Sequence, residues 1–211
     1  MKIYLLFKRI INKPLPNLTK IMIIMGFFLT LVQVNRVGGS VVANALSSIH
    51  QLTPAEIGVV IGVMFLSSAL VQIPFGIMLD RFGARRMIVG WSSVAIIGTV
   101  IFGVAETSSG LTVGRTLIGI GHGASITGVY LLALAWASPE RVASVAATTI
   151  AVAGALGGVI GTAPLAASIQ YVGFTDTFLY LAVASLLSSV LIWFFVDDRP
   201  PGARIESTKE N

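Results

Sequence analysis

The stretch Gly76-Ile77-Met78-Leu79-Asp80-Arg81-Phe82-Gly83-Ala84-Arg85-Arg86 interrupts a long apolar run with one acid and three arginines. Gly76 lets a neighbouring helix come close, Asp80 places an anion where the apolar block ends, and Gly83 permits a tight turn. Arg81, Arg85 and Arg86 hold such a link on the side of a bilayer where positive charge is retained. The stretch reads as a short connection between two membrane-crossing helices, and it gives them a direction.

The composition on either side supports a membrane setting. Hydrophobic residues make up 55% of the chain and charged residues only 11%, against roughly 25% charged in a soluble domain. Six apolar blocks, each near the roughly 20 residues that cross the hydrocarbon core as a helix, run from about Ile21 to Leu46, Glu56 to Leu79, Met87 to Val104, Leu111 to Ala137, Val145 to Ile169 and Phe178 to Val196. The links are Ser47 to Ala55, Asp80 to Arg86, Ala105 to Gly110, Ser138 to Ser144 and Gln170 to Thr177. Links this short make consecutive helices antiparallel neighbours. The expected fold is all-α and polytopic, with a segment 1–20, a bundle 21–196 and a tail 197–211.

Lysine and arginine set the orientation. With the amino terminus inside, Lys2, Lys8, Arg9, Lys13, Lys20, Arg81, Arg85, Arg86, Arg141, Arg199, Arg204 and Lys209 fall on the cytoplasmic side, leaving only Arg36 and Arg115 of the 14 within spans. Both termini are expected inside, in an inner membrane. Lys8, Arg9 and Lys13 break up the first 20 residues, and no cleaved leader is read there. The basic residues are scattered at block ends rather than gathered on one face, so the net charge of +5 does not point to nucleic acid.

No cysteine is present, which excludes disulfides and thiolate chemistry. No phosphate-binding loop, metal cluster or nucleophile triad is read. The expectation is no enzyme, no metal and no cofactor.

The Gly76–Arg86 loop, between the second and third blocks, resembles the signature of the major facilitator superfamily at that place. It departs from the signature at Met78, Leu79 and Ala84. The resemblance implies the amino-terminal six-helix half of such a transporter, built from two inverted three-helix repeats. It also implies that Asp80 pairs with a nearby arginine and with a helix end of the other half, making Gly76, Asp80, Arg81, Gly83, Arg85 and Arg86 a gating loop. Read without the resemblance, these charges form a cytoplasmic loop obeying the positive-inside rule.

Arg115-Thr116-Leu117-Ile118-Gly119-Ile120-Gly121-His122-Gly123 resembles the family's fourth-helix pattern of an arginine followed by spaced glycines. Gly119 and Gly123 have the small-xxx-small spacing of helix packing. In the fifth block Gly154 and Gly158, and Gly157 and Gly161, repeat it. Pro164 is expected to kink that helix near Val159 to Gly161. A similar glycine-and-proline motif marks exporters in part of the family, but there the proline directly follows a glycine.

Five polar residues remain as candidates for a solute site: Gln33, Asn35, Arg36, Arg115 and His122. Arg36 is about 16 residues from Lys20, hence about 24 Å into a core roughly 30 Å thick. His122 is as far from Ser138, so the two share a level. Arg115 is about 6 Å below the opposite boundary, within snorkelling reach. The resemblance places spans one and four beside a central cavity, so Arg36 and His122 are expected to face it, with Gln33 one turn from Arg36. Arginines there favour an anion such as a carboxylate. Structural roles stay open: Arg36 bonded to carbonyls, and His122 as a packing residue or proton relay. No acid lies deep in any span.

The implied activity is alternating-access transport of a small organic, possibly anionic solute, with or without a coupling ion. Complete family members have twelve helices. The six read here fit a truncated or split reading frame, a half-size protein that pairs with a second copy, or a nonfunctional remnant, and the tail from Asp197 resembles the start of the family's central linker. The other readings are a noncatalytic membrane interaction module and a drug efflux transporter.

Overall fold

The computed structural model describes residues 17–200. The expected amino-terminal segment before residue 17 and the tail beyond residue 200 lie outside the described residues. The helices are α1 (Asn17–Val37), α2 (Gly39–Ser48), α3 (Pro54–Phe82), α4 (Ala84–Val104), α5 (Ser108–His122), α6 (Ser125–Trp136), α7 (Val142–Ile160), α8 (Ala163–Tyr171) and α9 (Phe174–Phe195), with a 3₁₀ turn Pro139–Arg141 before α7. They make six stretches long and apolar enough to cross a membrane. Spans one, four and five are each two helices meeting at a break.

Local chemistry sets several ends. Thr53 caps α3: its hydroxyl accepts from the Glu56 amide, the Glu56 carboxylate accepts from the Thr53 amide, and Pro54 fills the first helical position. Two links are shorter than the polar runs in the sequence suggest. Asp80 and Arg81 continue α3, so α3 and α4 meet at Gly83 alone, which has φ +88°. Gln170 and Tyr171 continue α8, and only Val172 and Gly173 precede α9. A charged residue ends an apolar run without ending the helix, because at the interface water solvates its side chain while the backbone ladder continues.

The packing repeats itself. α5 packs on α3 and α4 as α1 packs on α7 and α9, and α4 meets α9 where the two sets join. Span one of the first expected three-helix repeat thus packs with spans five and six of the second, and span four of the second packs with spans two and three of the first, which makes spans one and four counterparts. The core has two layers. At the end carrying Lys20, Arg85 and Arg141, Met25, Phe28, Phe75, Ile88, Leu132 and Ile192 pack together. At the other end Leu46, Met64, Leu111 and Ile118 surround a triangle of Phe102, Phe174 and Phe178, with ring centroids 4.8–5.4 Å apart.

Of the glycines expected to pack, Gly119 and Gly123 of span four lie against α3: a Cβ on Gly119 would meet Ser67 Oγ and the Met64 carbonyl, and one on Gly123 would meet Val71. In span five the close approach to α1 is made by Gly157 and Gly161. Gly154 has only ordinary contact with Gln33, and Gly158 faces open space. The spacing identifies two possible stripes, and the helix rotation selects one. Gly76 likewise meets nothing within 4 Å, so within these six spans it brings no helix close. Pro164 stands in the first turn of α8, and the expected kink is a break at Gly161 and Thr162.

Gly119→Val is predicted to lower thermal stability in detergent by about 1–3 kcal/mol through overpacking against α3. Gly158→Ala, on an open face, is predicted not to lower it. Paired melting curves of the two variants check both outcomes.

Candidate functional site

The site begins with a break in span one. α1 stops at Val37 and α2 starts at Gly39, while the Gly38 amide still bonds the Val34 carbonyl at 3.0 Å. The break exposes the Asn35 carbonyl to a side-chain donor. Arg115 Nη1 supplies it at 3.0 Å, lies 3.2 Å from Met64 Sδ, and holds its guanidinium 4.5 Å over the Phe102 ring. Arg115 is 2% exposed. Its face of α5 turns inward, so it does not snorkel, and it is enclosed rather than lining an opening.

One residue past that carbonyl, Arg36 is half-buried and donates from Nη2 to Ser68 Oγ on α3 at 3.1 Å. His122, the last residue of α5, is buried with its ring edge-on to Phe28 at 6.2 Å, and a Cβ on the next residue, Gly123, would lie 3.2 Å from the Ser68 carbonyl. Arg36, Ser68 and His122 thus gather where spans one, two and four meet, each of spans one and four breaking just after its cationic or titratable residue. Gln33 packs beside Gly157 on span five. Asn35 donates its amide to the Leu31 carbonyl of its own helix at 3.1 Å, so its side chain is held within α1. Among the described residues, Asn35 Oδ1, Arg115 Nε and Nη2, and His122 Nδ1 are buried without hydrogen-bond partners. Ser68 is the residue that sequence reading missed, although Ser67 and Ser68 stand as a polar pair inside the apolar second block.

At the basic end, the loop arginine finds its partner on span six. Arg85 Nη1 pairs with Asp197 Oδ1 at 2.9 Å, the Arg85 amide donates to Asp198 Oδ1 at 2.7 Å, and the guanidinium lies over Trp193 at 5.3 Å. Trp136 Nε1 donates to the Asp197 carbonyl at 2.8 Å. A Cβ on Gly83 would press on the Asp198 carboxylate. Glycine is thus needed there for its positive φ and for space. Asp80, Arg81 and Arg86 are exposed. Asp80 makes no hydrogen bond or ion pair among the described residues, and the ion pair of this loop is that of Arg85 with Asp197.

The family model of the Major Facilitator Superfamily matches residues 21–211. The chain belongs to this superfamily. It is 28% identical over 167 residues to a probable sulfoacetate transporter of Cupriavidus necator, a match covering 79% of this chain and 39% of that protein. It is 31% identical over 155 residues to the synaptic vesicular amine transporter of Bos taurus, covering 71% of this chain and 29% of the relative. The crystal structure of a bacterial homologue of the human lysosomal transporter Spinster, inward-facing and unoccupied, superposes with a TM-score of 0.77 at 18% identity, over 90% of this chain and 45% of that one. These matches therefore span less than half the length of each of these proteins.

Asp198→Ala is predicted to cost about 1 kcal/mol, as loss of a helix cap does. Asp197→Asn is predicted to cost less, about 0–1 kcal/mol, because the Asp197 side chain is 69% exposed and its pair with Arg85 is screened. Thermal melts of the two variants in one detergent test the order.

Proposed function

We propose that the chain is the amino-terminal half of a secondary transporter that moves a small organic anion by alternating access, with Arg36 as the solute-binding cation. The observation that carries this reading is the setting of Arg36. It is half-buried at a helix break and bonded to Ser68, and no acid lies deep in any span to neutralise it. A buried cation without a protein anion is costly, and an anionic solute would supply the missing charge through charge-assisted hydrogen bonds. Sulfoacetate, named for one relative, carries a carboxylate and a sulfonate. The amine named for the other relative is a poorer match to this site. Gln33 and His122 border the site. Arg115 acts from behind it, holding the span-one break.

In this reading Lys20, the loop arginines and Arg141 mark the cytoplasmic side of an inner membrane, with both termini inside. The bundle rocks against a second six-helix half or a second copy, and the exposed Asp80 is left for a contact with that partner. A single copy does not transport.

Arg36→Ala is predicted to abolish binding of sulfoacetate or a comparable organic dianion while leaving folding and assembly intact. Lost assembly with unchanged anion binding would instead favour a noncatalytic membrane interaction module. Solute uptake into liposomes holding verified monomers would refute the need for a second half.

A further inference from the structure

α1 forms the floor of an open crevice of about 560 Å³ that starts at the basic end. Thr19, Gly26 and Val34 mark its course along α1, Val152 and Leu156 form a wall on α7, and Leu181 of α9 closes the other side. From Thr19 to Val34 is about 22 Å of helix, more than the half of a roughly 30 Å hydrocarbon core that one leaflet occupies.

The lining chemistry narrows the occupant. The Thr30 and Thr149 hydroxyls donate to the Gly26 and Val145 carbonyls of their own helices at 2.8 and 2.9 Å, so Thr19 and Thr148 bring the remaining side-chain hydroxyls to a lining otherwise of carbon. A sugar or an organic ion would find few hydrogen bonds there. A hydrocarbon chain would lose nothing.

The basic end of the crevice is charged. Lys20, beside Thr19, places its ammonium 4.3 Å over the Phe195 ring of α9, and Arg141 is exposed at the start of span five, with Glu140 as its acidic neighbour. With the Arg85–Asp197 pair counted in, Lys20, Arg85, Arg141 and Arg199 against Glu140, Asp197 and Asp198 leave this end positive by one charge at the level of lipid headgroups.

We infer that this crevice is a binding site for one anionic phospholipid of the basic-side leaflet, its acyl chain lying between spans five and six and its phosphate at Lys20. Among lipids there is no hydrophobic gain in exchanging one chain for another, so retention comes from packing against three spans and from the headgroup charge. This inference is independent of the solute site.

The full chain in mild detergent is examined by native mass spectrometry with phosphatidylglycerol and phosphatidylcholine added in equal amount. One phosphatidylglycerol is expected to stay bound in preference to phosphatidylcholine. Lys20→Ala is expected to reduce that preference about fivefold. Val152→Trp fills the crevice from an exposed wall position and is expected to remove the bound lipid without changing circular dichroism or elution volume. Because the chain has no cysteine, a fluorophore on V152C gives a second measurement free of labelling background. Brominated phosphatidylglycerol is expected to quench it more strongly than a fluorophore on L70C, at an exposed position outside the crevice. Equal retention of the two lipids by the wild type, unchanged retention by V152W, or a crevice covered by a second copy that V152W releases as monomer would overturn the inference.

Discussion

The bond from Arg115 to the Asn35 carbonyl is the contact on which the middle of the bundle depends. A bilayer offers no water to a broken helix, so backbone freed within it must find a protein donor. Span one is broken next to the residue that carries its charge, and span four supplies the donor from four residues past Leu111. That one bond keeps the break, sets Arg36 where it reaches Ser68, and brings α1 and α5 together with Met64 and Phe102 around the guanidinium. A lysine in place of Arg115 would keep a charge but lose the planar fork that spans carbonyl, thioether and ring at once.

Six spans and their alternating directions were legible because hydropathy reports on the bilayer directly and short links leave consecutive helices no choice but to alternate. The Gly76–Arg86 loop was legible as a signature. Rotation about each helix axis was not. Counting residues from Leu111 gives the depth of Arg115 but not the face it occupies, so an enclosed structural arginine and a snorkelling one read alike. The same ambiguity separates Gly157 and Gly161, which meet α1, from Gly158, which meets nothing. Asp197 and Asp198 read as a helix stop because their partner, Arg85, is more than a hundred residues earlier in the chain.

The basic end is arranged differently from the middle. There the charges are close to water, and Arg85 is held at two points, its amide by Asp198 and its side chain by Asp197. Each contact alone is modest, but together with Trp136 and Trp193 they tie the start of span three to the ends of spans four and six. Asp80 has no part in this cluster. The loop thus divides its charges between one arginine bound inside the bundle and an acid facing outward.

The breaks in spans one and five touch. An added Cβ on Gly161 would lie 3.4 Å from the Gly38 amide nitrogen, and one on Gly38 would lie 3.5 Å from the Gly161 carbonyl and collide with Leu165. Two helices are therefore jointed at one point, backbone close to backbone, with the Leu165 side chain of α8 packed against Gly38. A tilt of α2 about Gly38 presses on α8, and a tilt of α8 pushes back on α2. The upper segments of the two spans form a linkage with a shared pivot, and their angles are not independent variables.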